Sequence, residues 1–228
     1  MSRIGSNMMK SSSASSPDDE LSLRTSLILD NPYIRWPTHP RTGRRGPNPR
    51  QLEFLLCDAL EALYGGGGGG GKTYVLLAAA LMYVAIPGYT ALLLRRTYGE
   101  LSKPDSLMDL AHQWLKTRPE VHWDEVTRTY TFPSGARLVF GYLETRIDKY
   151  RYGSMAAQFI GFDELSTFPE EGDYTFLFSR LRRLEGSRVP LRMRAATNPV
   201  GPGKPWVRQR FIIEGEKDGR VFIPALLD

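Results

Sequence analysis

The sequence predicts an α/β fold with a mostly parallel central sheet, helices on its faces and a β-hairpin inserted into it. Three observations carry that reading. A run of glycines, Gly65 to Gly71, opens directly into an apolar helix that starts at Lys72. Residues 90–94 and 159–162 are continuous apolar runs, as expected of strands covered on both faces. Strand-like and helix-like segments alternate along the chain, which is the pattern of a parallel sheet with helical crossovers.

The elements follow in order. Leu52, Leu55, Leu56, Ala59, Leu60 and Leu63 recur at helical spacing. Carried to its end, that period would run a helix into the glycines. The glycine motif needs a strand in front of it, so the helix is placed to stop near Asp58, with a short strand at residues 62–64. Residues 72–85 read as a helix stopped by Pro87-Gly88, and residues 90–94 as a buried strand. Residues 105–116 are helical. Residues 127–132 alternate, Pro133-Ser134-Gly135 turns the chain, and residues 137–142 return it as a hairpin. A strand at 159–162, a helix at 174–184 and a strand at 191–197 complete the domain.

The N-terminal part differs. Residues 1 to about 30 read as disordered, being Ser-rich and then acidic without apolar support. Residues up to Pro49 read as an extended arm, so the chain divides into a disordered, basic arm (1–46) and an ordered domain (47–228). Between Asn31 and Arg50 stand Arg35, Arg41, Arg44, Arg45 and Arg50 with no carboxylate, and Arg180, Arg182, Arg183, Arg188, Arg192 and Arg194 form a second cluster. With a net charge of +5 and pI near 9.3, these suit a polyanionic partner such as nucleic acid. A solvated linker and a solvated helix face are the plainer alternatives.

Composition excludes several classes. Of 228 residues, 41% are hydrophobic and 24% charged, ordinary for a soluble chain of one domain with tails. The longest apolar stretch, Val75 to Pro87, is shorter than the roughly 20 residues of a membrane span. The N-terminus lacks the apolar segment of a signal peptide. Cys57 stands alone, so no intrachain disulfide is expected and an intracellular site is. His39, His112 and His122 have no cysteine at ligand spacing, which argues against zinc.

Gly66-Gly67-Gly68-Gly69-Gly70-Gly71-Lys72-Thr73 fits the phosphate-binding pattern G-x-x-x-x-G-K-[ST] between a strand and a helix. Backbone N–H groups and the helix N-terminus would face the β-phosphate of ATP. Lys72 would supply charge to the β- and γ-phosphates, and the Thr73 hydroxyl would ligate Mg2+. A polyglycine linker would not need Lys-Thr followed at once by an apolar helix. A second apolar strand ends in Asp163-Glu164. Asp163 would hold Mg2+ through its water shell and Glu164 would polarise the attacking water. A third strand ends in Thr197-Asn198-Pro199, a polar pair placed to sense the γ-phosphate, or alone simply a turn.

On these residues the chain resembles the ATPase domain of the large terminase subunit of tailed bacteriophages. The likeness rests on Gln51-Leu52-Glu53-Phe54-Leu55-Leu56, Leu63-Tyr64-Gly65-Gly66 leading into Gly71-Lys72-Thr73, Leu94-Arg95-Arg96-Thr97-Tyr98, Lys149-Tyr150-x-x-Gly153, the strand to Asp163-Glu164-Leu165, and Ala196-Thr197-Asn198-Pro199-x-Gly201-Pro202-Gly203-x-x-Trp206-Val207. It covers about residues 47 to 215. It implies a RecA-like P-loop ATPase acting as a homo-oligomeric ring on double-stranded DNA in the bacterial cytoplasm, docked on a procapsid portal protein and helped by a small terminase subunit. By the same resemblance Gln51 falls where adenine is contacted, and Thr197-Asn198 where hydrolysis is coupled to movement. The family continues into an RNase H-like nuclease, whereas this chain stops at Asp228, so no nuclease activity is expected of it. A helicase or DNA-repair ATPase, and a non-catalytic nucleotide-binding scaffold, are the alternatives. No arginine stands inside the glycine loop, so an arginine for the γ-phosphate must come from elsewhere. Arg151 is the first candidate, with Arg180 and Arg183 behind it.

Overall fold

The computed structural model describes residues 16–38 and 43–225. An eight-stranded sheet runs in the order β3-β4-β5-β2-β6-β7-β1-β8. In chain order the strands are β1 (Glu61–Gly65), β2 (Thr90–Arg95), β3 (His122–Asp124), β4 (Thr129–Thr131), β5 (Arg137–Tyr142), β6 (Phe159–Asp163), β7 (Arg192–Thr197) and β8 (Val221–Pro224). From β5 across to β8 every neighbouring pair is parallel. The expected hairpin is present and antiparallel. It is lengthened by β3, whose three residues, His-Trp-Asp, carry no strand signal of their own.

Alternation along the strands divides the core. Ala91, Leu93 and Phe159 face one layer, with helices α2 (Pro49–Leu56), α3 (Lys72–Leu81), α4 (Tyr98–Ser102) and α5 (Leu107–Leu115). Leu92, Leu94, Ile160 and Phe162 face the other, with α6 (Glu171–Phe176) and α7 (Lys204–Arg208). Both layers are needed because β2 and β6 are buried at every position. Each leucine so buried contributes roughly 1.5–3 kcal/mol. The register also aligns the strand ends. Tyr142 lies opposite Arg95, Asp163 opposite Ala196, and Gly65 opposite Thr197.

Three segments differ from the sequence reading. Residues 17–29, expected to be disordered, form helix α1 (Pro17–Leu29). Ser16 and Asp19 close a capping box at its start, and Leu27 and Ile28 are buried at its end. The arm beyond it is also docked: Ile34 is buried, Trp36 Nε1 donates to the Ile28 carbonyl at 2.9 Å, and Tyr33 meets Phe132 edge-on at 5.0 Å. Arg41 and His39 lie outside the described residues.

Helix α3 stops at Leu81 instead of Ala85. Tyr89 Oη donates to the Ala80 carbonyl at 2.9 Å and Asn31 Nδ2 to the Leu81 carbonyl at 3.0 Å. These side chains take the carbonyls that a further helical turn would have used, and the chain tightens into three-residue turns up to Pro87. The helix expected at 174–184 is α6 followed by a 3-10 turn, Leu177–Arg180. Beyond it the chain extends, because Ala157 N–H bonds to the Arg180 carbonyl and Arg182 N–H to the Ala157 carbonyl, both at 3.0 Å.

Candidate functional site

The glycine loop joins β1 to α3 at the edge where the parallel strands end. Gly66 has φ +146°, and a Cβ there would stand 2.8 Å from the Ala225 carbonyl oxygen. Gly71 is left-handed (φ +61°), and its Cβ would meet Gln51 Nε2 at 2.5 Å. No other residue type fits either place without displacing backbone or Gln51. Lys72 is buried at the helix start, with Nζ donating to the Gly67 carbonyl at 2.5 Å.

Thr73 Oγ1 lies 3.2 Å from both carboxylate oxygens of Asp163. Asp163 is fully buried, and Arg95 Nε reaches its Oδ2 at 3.0 Å. Burial pushes the Asp163 carboxyl up to about 6, against the opposing pull of Arg95 and the Thr73 hydroxyl. The next residue, Glu164, holds a left-handed backbone (φ 54°, ψ 53°). That conformation is unfavourable for a side chain of its size and marks a site held by its surroundings. Both Glu164 oxygens are occupied: Asn198 N–H donates to one at 3.1 Å and Asn198 Nδ2 to the other at 2.9 Å.

Ser166 fastens this turn to the end of β7. Its N–H donates to Thr197 Oγ1 at 3.0 Å, and its hydroxyl, buried, lies 2.7 Å from both Thr197 Oγ1 and the Asn198 carbonyl. An open cleft of about 350 Å³ lies over the loop, bounded by Gly68, Gly69, Gly70, Gly71, Lys72, Thr73, Tyr74, Asp105, Leu110, Gln113, Glu164 and Asn198. At the Thr73–Asp163 contact, hard oxygen donors converge under it. Among the described residues no group of three or more His, Cys, Asp or Glu gathers to hold a metal. A single carboxylate and a hydroxyl fit Mg2+, which keeps waters and takes phosphate oxygens for its other ligands.

The sequence-predicted residues divide. Gly66 through Thr73, Asp163, Glu164, Thr197 and Asn198 come together at one edge. Gln51 joins them from α2, with Nε2 on the Gly71 carbonyl at 3.4 Å and Oε1 accepting from Asn48 N–H at 3.0 Å. Arg151 is not in the cleft lining. It sits in the 3-10 turn Asp148–Tyr152, half exposed, paired with Asp148 at 2.9 Å and 5.0 Å from the Tyr142 ring centre. Arg180 donates to the neighbouring Ser179 hydroxyl, and Arg183 is exposed.

The second arginine cluster needs correcting at two members. Arg194 is 2% exposed and donates to the carbonyls of Cys57, Ala59 and Leu60, stacked 5.7 Å from Phe54. Arg192 turns to Asp58 at 3.1 Å. Both hold the turn after α2 and are not available to a partner. Arg182, Arg183 and Arg188 remain exposed. Arg95, Ser166 and Asp105 are site neighbours to which the sequence reading gave no role. Arg95 carried the one available signal, a charged residue ending an apolar strand as Asp163 does.

The terminase large subunit family model, T4-like virus type, N-terminal part, matches residues 63–201. No curated protein matches the chain. Among solved structures, the large terminase of a thermophilic bacteriophage superposes with a TM-score of 0.62 at 17% identity, over 79% of this chain and 46% of its own. The HK97 bacteriophage large terminase gives 0.62 at 12% identity, over 87% and 43%. The thermophilic-phage protein bound to ATP-gamma-S gives 0.57 at 16% identity, over 77% and 44%. The chain therefore spans less than half the length of these structures, and the likeness shows a shared fold. With the family match covering more than half of its residues, the chain belongs to the terminase large-subunit family.

Proposed function

We propose that this chain is the ATP-hydrolysing part of a motor that drives double-stranded viral DNA into a procapsid. The observation that carries the reading is the convergence of Lys72, Thr73, Asp163, Glu164 and Asn198 around one cleft, from three separate strand ends. The thermophilic-phage relative in complex with ATP-gamma-S supports a nucleotide in that cleft.

Lys72 leaves the Gly67 carbonyl for the β- and γ-phosphates, and the loop N–H groups hold the β-phosphate. Thr73 and Asp163 hold Mg2+, which neutralises phosphate charge when bound. Glu164 polarises the attacking water. Asn198 and Thr197 report the γ-phosphate to the rest of the chain through their bonds to Glu164 and Ser166. Gln51, behind the loop, contacts adenine. Arg151 supplies positive charge to the nucleotide of a neighbouring copy in a ring. Exposed arginines grip the DNA backbone without reading bases. The partners of the whole assembly are a portal protein and a small terminase subunit, in the cytoplasm of a bacterial host.

Turnover of Mg·ATP with and without double-stranded DNA tests the reading. Hydrolysis stimulated by DNA and absent in Glu164→Gln is the expected result. Hydrolysis indifferent to DNA favours a stand-alone NTPase, and tight nucleotide binding with no turnover in wild type favours a scaffold.

A further inference from the structure

The geometry points to Gln113 as the residue that selects a 6-aminopurine in the cleft, an inference that rests on the proposed nucleotide site and deepens it. Among the described residues Lys72 is the one cation in the lining, so phosphate gathers at Lys72 and the glycine loop. The rest of a nucleotide must then lie along what remains of the lining, which is Tyr74, Asp105, Leu110 and Gln113. Tyr74 and Leu110 are half-buried there and offer a base an apolar wall. The Tyr74 ring is braced edge-on by Trp114 at 4.5 Å and lies tilted against Trp36 at 5.8 Å. Such a wall accepts any base, because every base has a π-face.

Gln113 supplies the discrimination. It is exposed on α5, and its Nε2 donates to Asp109 Oδ2 at 3.0 Å. The same oxygen accepts the Asp105 N–H at 3.0 Å, which holds the carboxylate from the loop before the helix. An ionised carboxylate only accepts, so the amide must turn its nitrogen to Asp109. Oε1 and the second N–H are left for the cleft, an acceptor beside a donor. Adenine matches that pair with its N6–H and a ring nitrogen. A 6-oxopurine presents an acceptor where adenine has N6–H. To meet it the amide would have to turn over, which sets Oε1 against the Asp109 carboxylate. Gln51 does not line the cleft. Its Oε1 accepts the Asn48 N–H and its Nε2 is turned to the Gly71 carbonyl, so it meets a nucleotide only from behind the loop.

The test titrates the whole chain with Mg·ADP and Mg·IDP, the adenine and hypoxanthine nucleotides, whose bases differ only at the 6-position and the adjoining N1 proton. Wild type should prefer ADP by about 5-fold or more, the discrimination of one amide pair. Gln113→Ala should bring the preference to within about two-fold of none, through weaker ADP binding. Asp109→Asn should do the same by the opposite route, through tighter IDP binding, because an asparagine can donate to Oε1 and lets the amide turn over. A merely structural Asp109 would weaken both nucleotides alike and leave their ratio unchanged. Full preference retained in either Gln113→Ala or Asp109→Asn overturns the proposal. A wild type that binds both nucleotides equally overturns it too and leaves the nucleotide site standing. A wild type that binds neither overturns the proposed function, and this inference with it.

Discussion

Asn198 holds Glu164 with two hydrogen bonds, one from its backbone N–H at 3.1 Å and one from its side-chain amide at 2.9 Å. The carboxylate proposed to polarise water is therefore oriented by the strand next to its own. Glu164→Gln keeps the shape and one acceptor oxygen, so fold and ATP binding should survive. Turnover should fall by about 10² to 10⁴, the contribution typical of a general base. Single-turnover hydrolysis and nucleotide affinity, measured on the same preparation, check this. Undiminished turnover would remove Glu164 from its role.

Lys72 gives a second expectation. In the absence of nucleotide its ammonium bonds the Gly67 carbonyl, so Lys72→Ala deletes one loop contact and, with ATP, the charge facing the phosphates. ATP affinity should fall by about 10-fold to more than 100-fold, the worth of charge-assisted bonds. Thermal unfolding without nucleotide should shift little. Calorimetric titration of both proteins measures the first effect. Equal affinities would contradict the site.

Much of this site was legible because it depends on local chemistry at strand ends. Gly71-Lys72-Thr73 and Asp163-Glu164 declare themselves by residue type and by the apolar strand before them. The order of the strands does not, and it alone brings Arg95 to Asp163 and Asn198 to Glu164. The conflict before β1 resolved as expected, with α2 ending at Leu56 and β1 starting at Glu61. Helix α1 was missed because residues 18–26 are mostly polar, although Ser16-Pro17 with Asp19 is a start signal. The early end of α3 could not be read, since Asn31 and Tyr89 act on its carbonyls from outside the helix. Arg192 and Arg194 looked like a surface cluster because charge in a strand normally marks an exposed face. Here carbonyls and Asp58 satisfy them.

The arginines therefore separate into two tests. Arg194→Ala leaves several carbonyls without their donor and opens a cavity, so it should destabilise the protein by about 2–4 kcal/mol. Denaturant midpoints measure that loss. Neutralising the exposed Arg182 and Arg183 together should leave the midpoint nearly unchanged. It should weaken DNA binding and lower the salt slope by about one for each phosphate no longer gripped. An unchanged slope would return that segment to a solvated surface.

His112 gives a pH expectation. Its Nδ1 lies 2.5 Å from Tyr130 Oη, and its ring meets Trp123 edge-on at 4.7 Å. Burial, helped by nearby Lys116, lowers its pKa below the usual 6.5 against Glu125 and Asp109. The unfolded chain then takes the proton more readily than the folded one. The stability from a neutral His112 is present above pH about 6.5 and is lost as pH falls below it. Imidazole proton shifts should place its midpoint below 6.5. A midpoint at or above 6.5 would contradict the packing.

The last expectation concerns Arg151. The glycine loop offers no side chain to the γ-phosphate, and Arg151 does not line the cleft of its own chain. Its partner Asp148 is already committed, accepting the N–H groups of Glu144 and Thr145 at 2.8 Å each. Arg151 is half exposed while Asp148 is buried, so the turn holds Asp148 through those two N–H groups and Arg151 reaches it from the solvent side. The guanidinium can therefore leave Asp148 for a more strongly charged partner without disturbing the turn. A neighbouring copy's nucleotide is such a partner, and an arginine so placed can raise the rate by about 10³ to 10⁵. Arg151→Ala should lower turnover on that scale while ATP affinity changes little. Mixing decides whether the arginine acts across copies. An Arg151→Ala subunit keeps a sound Glu164, and a Glu164→Gln subunit keeps a sound Arg151, so each is weak alone. Mixed rings place the sound arginine beside the sound glutamate and should recover turnover. If size measurement confirms mixed rings and no ratio recovers activity, Arg151 does not act in trans.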